Sequence, residues 1–270
     1  MPTPLPRQIR PDRPIPQQPN DLLETNRWWV KGLAGVGGFV DAAGFLTLLG
    51  LFTAHMSGNT TGLGLALATG DWGEALRRAF VIPIFVVATV AGVAWIEGRS
   101  TQSSSIQLRE RAVAGVLAAE VVMLVAFIGG ALALGDARPL RPSIGFFLTA
   151  AAASVAMGLQ NAALRRVHST AVHTTFVTGV LTEMAVAVVR WWIAWREERA
   201  NGGQPNDRTA NARATAQLAA SIWASYLAGA WAGAWLVSRF GIWTVVVPIM
   251  ALVVILILLL RSSPELRAPQ

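Results

Sequence analysis

Long apolar stretches separated by short polar ones dominate this chain. A helix that crosses a bilayer needs about 20 mostly apolar residues. The sequence offers runs at 28–52, 54–69, 79–96, 112–134, 144–164, 171–189, 218–237 and 242–260. Between them, residues 98–108 are rich in Ser and Gln, 135–143 contain Pro139 and Pro142, and 196–213 are charged, with Gly202, Gly203 and Pro205. The expected fold is an all-α integral membrane protein of six to eight transmembrane segments.

Two runs differ from ordinary spans. Residues 54–69 are few and hold Ser57, Gly58, Asn59, Thr60, Thr61, Gly62 and Gly64. Residues 171–189 hold His173, Thr174, Thr175, Thr178, Gly179, Thr182 and Glu183. Each reads as a tilted span or as a broken, re-entrant segment near the centre. Irregular backbone at membrane depth is tolerated only where protein or a wet cavity covers it.

The two halves echo one another. Gly38-Phe39-Val40-Asp41-Ala42-Ala43 is answered by Gly158-Leu159-Gln160-Asn161-Ala162-Ala163. Thr53-Ala54-His55-Met56-Ser57-Gly58 is answered by Thr174-Thr175-Phe176-Val177-Thr178-Gly179, and Trp95 with Arg99 by Trp235 with Arg239. Repeated halves in an apolar chain are a transporter architecture, with the binding site where the halves meet. The expected division is a Pro-rich tail (1–27), a first membrane repeat (28–134), a second (144–260) and a polar tail (261–270). If both short segments cross, there are eight spans and the halves point the same way. If both are re-entrant, there are six and the repeat is inverted.

Composition agrees with a lipid setting. The chain of 270 residues is 53% hydrophobic and 14% charged, whereas soluble domains carry about 25% charged residues. The net charge of +7 comes from arginines between apolar runs. That pattern sets topology and excludes a nucleic-acid patch. Arg7, Arg10, Arg13, Arg27 and Lys31 precede the first run, and Arg261 and Arg267 follow the last. Both termini are therefore expected in the cytoplasm, and the protein in a bacterial inner membrane. Most of the 11 tryptophans lie at run ends, the aromatic-belt position. Seven prolines before residue 20, with no apolar leader, predict a disordered tail and no signal peptide.

Chemistry concentrates in a few polar residues. Asp41 sits deep in an apolar run, where a charge costs about 2.5–3.5 kcal/mol on insertion scales unless it is paired, protonated or wet. Its counterpart Asn161 has the same shape and no charge. Glu183 lies on one helical face with Gly179, and Thr178 stripes the adjacent face. His55 and Asn59 share a face of the short first segment, and Gly58 and Gly62 the neighbouring one, which also suits close helix packing. Glu120 is another acid in an apolar run, without a counterpart in the repeat. With no Cys, three His and no HExxH spacing, no metal site is expected. Nothing calls for a cofactor.

Gly38-Phe39-Val40-Asp41-Ala42 followed by Met56-Ser57-Gly58-Asn59 resembles the G-x-x-D-A and M-[ST]-G-N elements of the YoaK family of bacterial membrane proteins. Ala156-Met157-Gly158-Leu159-Gln160-Asn161-Ala162 and Thr174-Thr175-Phe176-Val177-Thr178-Gly179 are similar to that family's A-M-G-x-Q-N-A and T-T-x-x-T-G elements. The resemblance covers roughly residues 28–260. It implies a multi-pass inner-membrane protein and supplies no substrate.

The leading functional expectation is a small secondary transporter, and not an enzyme. Its partners would be the lipid bilayer and a small molecule or ion, with the oligomeric state open. The candidate site is Asp41, His55, Ser57, Gly58, Asn59, Gln160, Asn161, Thr178, Gly179 and Glu183. No GxxxxGK[ST] motif points to ATP. Two alternatives stand beside transport: a non-catalytic scaffold, and an intramembrane hydrolase or lipid transferase. Asp41, His55 and Ser57 supply a triad's residue types, but no G-x-S-x-G elbow frames Ser57.

Overall fold

The computed structural model describes residues 27–101, 106–135, 143–165, 177–202 and 206–261. Both expected tails, save Arg27 and Arg261, and the stretch with His173, Thr174 and Thr175 lie outside the described residues. The described elements are all helical: α1 (Arg27–Thr47), α2 (Met56–Thr69), α3 (Trp72–Thr101), α4 (Ile106–Leu134), α5 (Ile144–Arg165), α6 (Val177–Ala200), α7 (Asp207–Phe240), a 3₁₀ turn (Ile242–Val245) and α8 (Val246–Arg261).

Among the described residues, five segments are long and apolar enough to cross a bilayer: Trp72–Arg99, Glu110–Leu134, Ile144–Leu164, Val177–Ala200 and Ile242–Arg261. Helices α1 and α7 have the length but are more polar. Helix α2 has 14 residues, roughly 21 Å at 1.5 Å per residue, against a hydrocarbon core of about 30 Å.

Several boundaries move from the sequence expectation. The first run does not continue to Phe52; α1 stops at Thr47. Leu49 and Gly50 turn the chain through left-handed backbone, with φ of 56° and 80°. At the other end of the chain, the run 218–237 extends into the 34-residue α7. Asn206 caps its start, accepting a bond from the Arg208 amide at 2.9 Å. Helix α2 packs on α3, and α6 on α7.

The tightest contacts join helices from opposite halves. Helix α1 lies along α7, with Gly35 beside Gly229 and Phe39 beside Gly233. Residue numbers rise together, so these helices are parallel. Helix α5 lies along α3 in the same sense, Gly158 beside Phe85 and Ala162 beside Gly92. Helix α4 runs antiparallel to α5, with Glu120 beside Gln160 and Gly130 beside Thr149. In lipid, helices gain little from burying apolar surface against each other, so close packing of small residues takes over.

The outer surface is apolar. Val86, Val87 and Val90 on α3, Val122 and Val125 on α4, and Met250, Val254 and Ile257 on α8 are all exposed. Patches of this kind mark a surface that water does not face. Arg99 stacks on Trp95 at 3.9 Å, and Arg199 on Trp195 at 4.2 Å, at the charged ends of α3 and α6. Cation–π pairs suit a headgroup region, where a ring and a charge both find company.

Candidate functional site at the helix break

Asp41 is 3% exposed and sits two turns before the end of α1. The chain after α1 doubles back to it. Its Oδ1 accepts from the Thr53 amide at 2.7 Å, the Ala54 amide at 2.8 Å and the Thr53 hydroxyl at 3.2 Å. Its Oδ2 accepts from the Tyr226 hydroxyl of α7 at 2.8 Å. Four donors converge on one side chain, so Asp41 fastens the break between α1 and α2 and ties both to α7.

Asn59 completes this fold-back. Its Nδ2 donates to the Phe52 carbonyl at 2.7 Å, and its Oδ1 accepts from the Phe52 amide at 3.1 Å. The side-chain amide imitates a backbone partner for a residue that has none. Arg78 of α3 reaches the same place. Its guanidinium pairs with Glu74 at 2.6 Å, points at Asn59 Oδ1 at 3.5 Å and at the Gly50 carbonyl at 3.4 Å, and lies over Gly62. Asn59→Asp keeps the acceptor but turns a second oxygen onto the Phe52 carbonyl. It should destabilise the protein by about 2 kcal/mol, read as a lower unfolding temperature in detergent.

Next to this cluster, Ser57 Oγ and His55 Nε2 are 3.2 Å apart. His55 precedes α2 and meets Phe52 edge-on; it does not share a helical face with Asn59. Gly58 leaves room for the Phe52 ring, 2.9 Å from where a Cβ would be. Asp41 makes no bond to His55 among the described residues, so Ser57, His55 and Asp41 do not form a hydrolytic relay.

The other predicted residues fall elsewhere. Gln160 is buried on α5 and donates to Glu120 at 3.1 Å. Asn161, next to it, is also buried. Thr178, Gly179 and Glu183 lie on α6, which packs on α7; the Thr182 hydroxyl bonds back to the Thr178 carbonyl at 2.8 Å. The bonds of Asp41 run to Thr53, Ala54 and Tyr226. A groove of about 480 Å³ does lie between α6 and α7, lined by Met184, Trp191, Arg213 and Gln217 among others. None of the predicted site residues lines it. Sequence reasoning missed Tyr226, Arg78 and the pairing of Glu120. Tyr226 carries a visible signal, being the sole tyrosine of the chain.

Residues 31–258 match the family described as "Protein of unknown function (DUF1275)". A stretch of 162 residues is 27% identical to the UPF0700 transmembrane protein RA0705 of Rhizobium meliloti (strain 1021), covering 60% of this chain and 61% of that protein. No solved structure matches. With its apolar helices and lipid-type surface, the chain is a multi-pass membrane protein and belongs to the DUF1275 family.

Proposed function

We propose that this protein is a small secondary transporter built from two inverted repeats. The observation that carries the reading is the pair of parallel, glycine-packed couples, α1 with α7 and α3 with α5. Each couple joins helices from opposite halves. Exchanging the halves turns one couple into the other. The same exchange turns α4 on α5 into α8 on α1, and α2 on α3 into α6 on α7. The pairs α4 with α8 and α1 with α5 map onto themselves. Gly38 and Gly158 hold matching places in the two motifs, and each meets a backbone carbonyl across its couple, of Tyr226 and of Phe85. The likeness to the YoaK motifs fits the same duplicated plan.

Helix direction favours inversion. The Gly50 carbonyl just after α1 meets Arg78 near the start of α3, as antiparallel neighbours would. The reading then has six spans, α1, α3, α4, α5, α7 and α8. Helix α2 stops short, and α6, although long enough to cross, is read as its companion in the second repeat. The part of α6 before Arg190, residues 177–189 with Glu183 inside it, is roughly 20 Å long, close to α2. Both termini lie in the cytoplasm of a bacterium, with the α2–α3 hairpin outside. A cysteine at Gly73→Cys should then react with an impermeant maleimide on intact cells. In an eight-span arrangement with the same termini it is protected, which would overturn the inversion.

Crossing, fold-back and buried polar groups together suit alternating access, with one couple rocking against the other. Asp41, His55, Ser57, Gly58 and Asn59 hold the α1–α2 break; Gln160 and Asn161 lie where α5 crosses α1; Thr178, Gly179 and Glu183 occupy the matching stretch of α6. The test is a thermal-shift screen of small solutes on purified protein, followed by uptake of any stabilising solute into proteoliposomes. A stabilising solute that is not taken up would favour a binding protein or scaffold.

A further inference from the structure

Glu120 is an acid that the reading above leaves without a task. It lies halfway along α4 and is fully buried. Gln160 Nε2 donates to its Oε1 at 3.1 Å. Its Oε2 has no hydrogen-bond partner among the described residues. The carbonyl end of the same Gln160 side chain faces α1, where a Cβ on Gly37 would lie 2.9 Å from it. One amide thus spans the space between the acid and the backbone of α1.

The donors decide the chemistry. A buried carboxylate needs donors on both oxygens. Asp41 accepts four bonds and Glu120 accepts one. Among the described residues no cation bonds to it. On α4 the charges are Arg109, Glu110 and Arg111, more than two turns away. Helix α3 carries Glu74, Arg77 and Arg78 at its start and Glu97 and Arg99 at its end; α5 and α8 end in Arg165 and Arg261; α1 carries Arg27, Lys31 and Asp41. Neither Lys31 and Asp41 of α1, nor Glu74, Arg77, Arg78 and Arg99 of α3, nor Arg261 of α8 bonds to Glu120. A neutral acid is the form this setting accommodates, since burial of a lone ionised carboxylate is far more expensive.

We propose that Glu120 is the proton-binding site of this protein, protonated when the α1–α5 crossing is closed and released to water when the crossing opens. The proposal rests on the transporter reading for its purpose: the proton is the coupling ion. On release the O–H bond breaks, the proton passes to water entering the crossing, and a carboxylate stays behind with the Gln160 amide as donor. Gln160 is the positioning residue. Asp41 ties α1 to α7, so a movement of that couple reaches Gln160 at Gly37 and alters the acid's surroundings.

Infrared spectroscopy of the purified full chain tests this without a known substrate. Near neutral pH the wild type should show the carbonyl stretch of a neutral carboxylic acid, lost in Glu120→Gln and fading as pH is raised. Gln160→Leu should move that band to higher frequency, because the carbonyl loses its amide donor. A band that survives in Glu120→Gln, or one that ignores pH until the protein unfolds, overturns the proposal. If Glu120→Gln does not fold, Glu120→Asp should shift the band, and an unshifted band has the same consequence. The spectrum does not depend on any solute. The transporter reading is judged separately, by uptake.

Discussion

Asp41→Leu should be the most damaging single substitution in the fold-back, destabilising the protein by roughly 4 kcal/mol or more. Leucine fills the volume but accepts no bond. The amides of Thr53 and Ala54 and the hydroxyl of Tyr226 would be left facing apolar surroundings, each at a penalty of about 1–3 kcal/mol. Asp41→Asn should do far less, about 1 kcal/mol, because its carbonyl can still serve the two amides while Tyr226 turns its hydroxyl round to accept from the new NH₂. Tyr226→Phe should fall between them, since it strands Oδ2 of a charged group. Thermal unfolding of the detergent-solubilised variants gives the order. If Asn is as harmful as Leu, the negative charge matters beyond its bonds.

The second large effect belongs to the glycines of the α1–α7 couple. A Cβ on Gly38 would overlap the Tyr226 carbonyl, one on Gly229 the Gly35 carbonyl, and one on Gly233 would come within 2.6 Å of the Phe39 carbonyl. In each case the obstacle is backbone, which cannot swing aside. Gly38→Ala should cost about 1–3 kcal/mol by forcing the helices apart, and Gly38→Val more. Gly129→Ala on α4 is the control. Nothing lies within 4 Å of its Cβ position, so the usual helix gain of Ala over Gly should raise stability by up to about 1 kcal/mol. Equal responses at both positions would mean that the couple is not packed this closely.

The sequence carried the helical, membrane-bound class plainly, because spans of this length need continuous apolar runs. It also marked Asp41, since an acid in such a run stands out. It could not supply the partners. Tyr226 is 185 residues from Asp41, and only the folded chain brings them together. The end of α1 was illegible for another reason. Residues 48–52 are as apolar as the helix before them, and the turn depends on Leu49 adopting a backbone conformation that leucine rarely takes. The spacing of Gly229 and Gly233 is a small-xxx-small pair readable from sequence, and it marks the face that meets α1. Glu120 was visible as an intramembrane acid but lacked a counterpart in the repeat. Its significance came from Gln160, which the motif reading had placed beside Asn161 without a direction.

The polarity of α1 and α7 has a consequence for how the protein is made. These two helices are long enough to span but fall outside the five most apolar segments. Each is satisfied chiefly by the other. Translation separates them by 159 residues between Thr47 and Asp207. Helix α1 leaves the ribosome well before α7, carrying Lys31 and Asp41 and without its glycine-lined neighbour. Insertion machinery must hold it at the edge of the membrane, or beside a chaperoning helix, until its partner is synthesised. Nascent chains arrested before residue 207 should therefore crosslink through α1 to the insertase, and chains extended past residue 240 should be released from it.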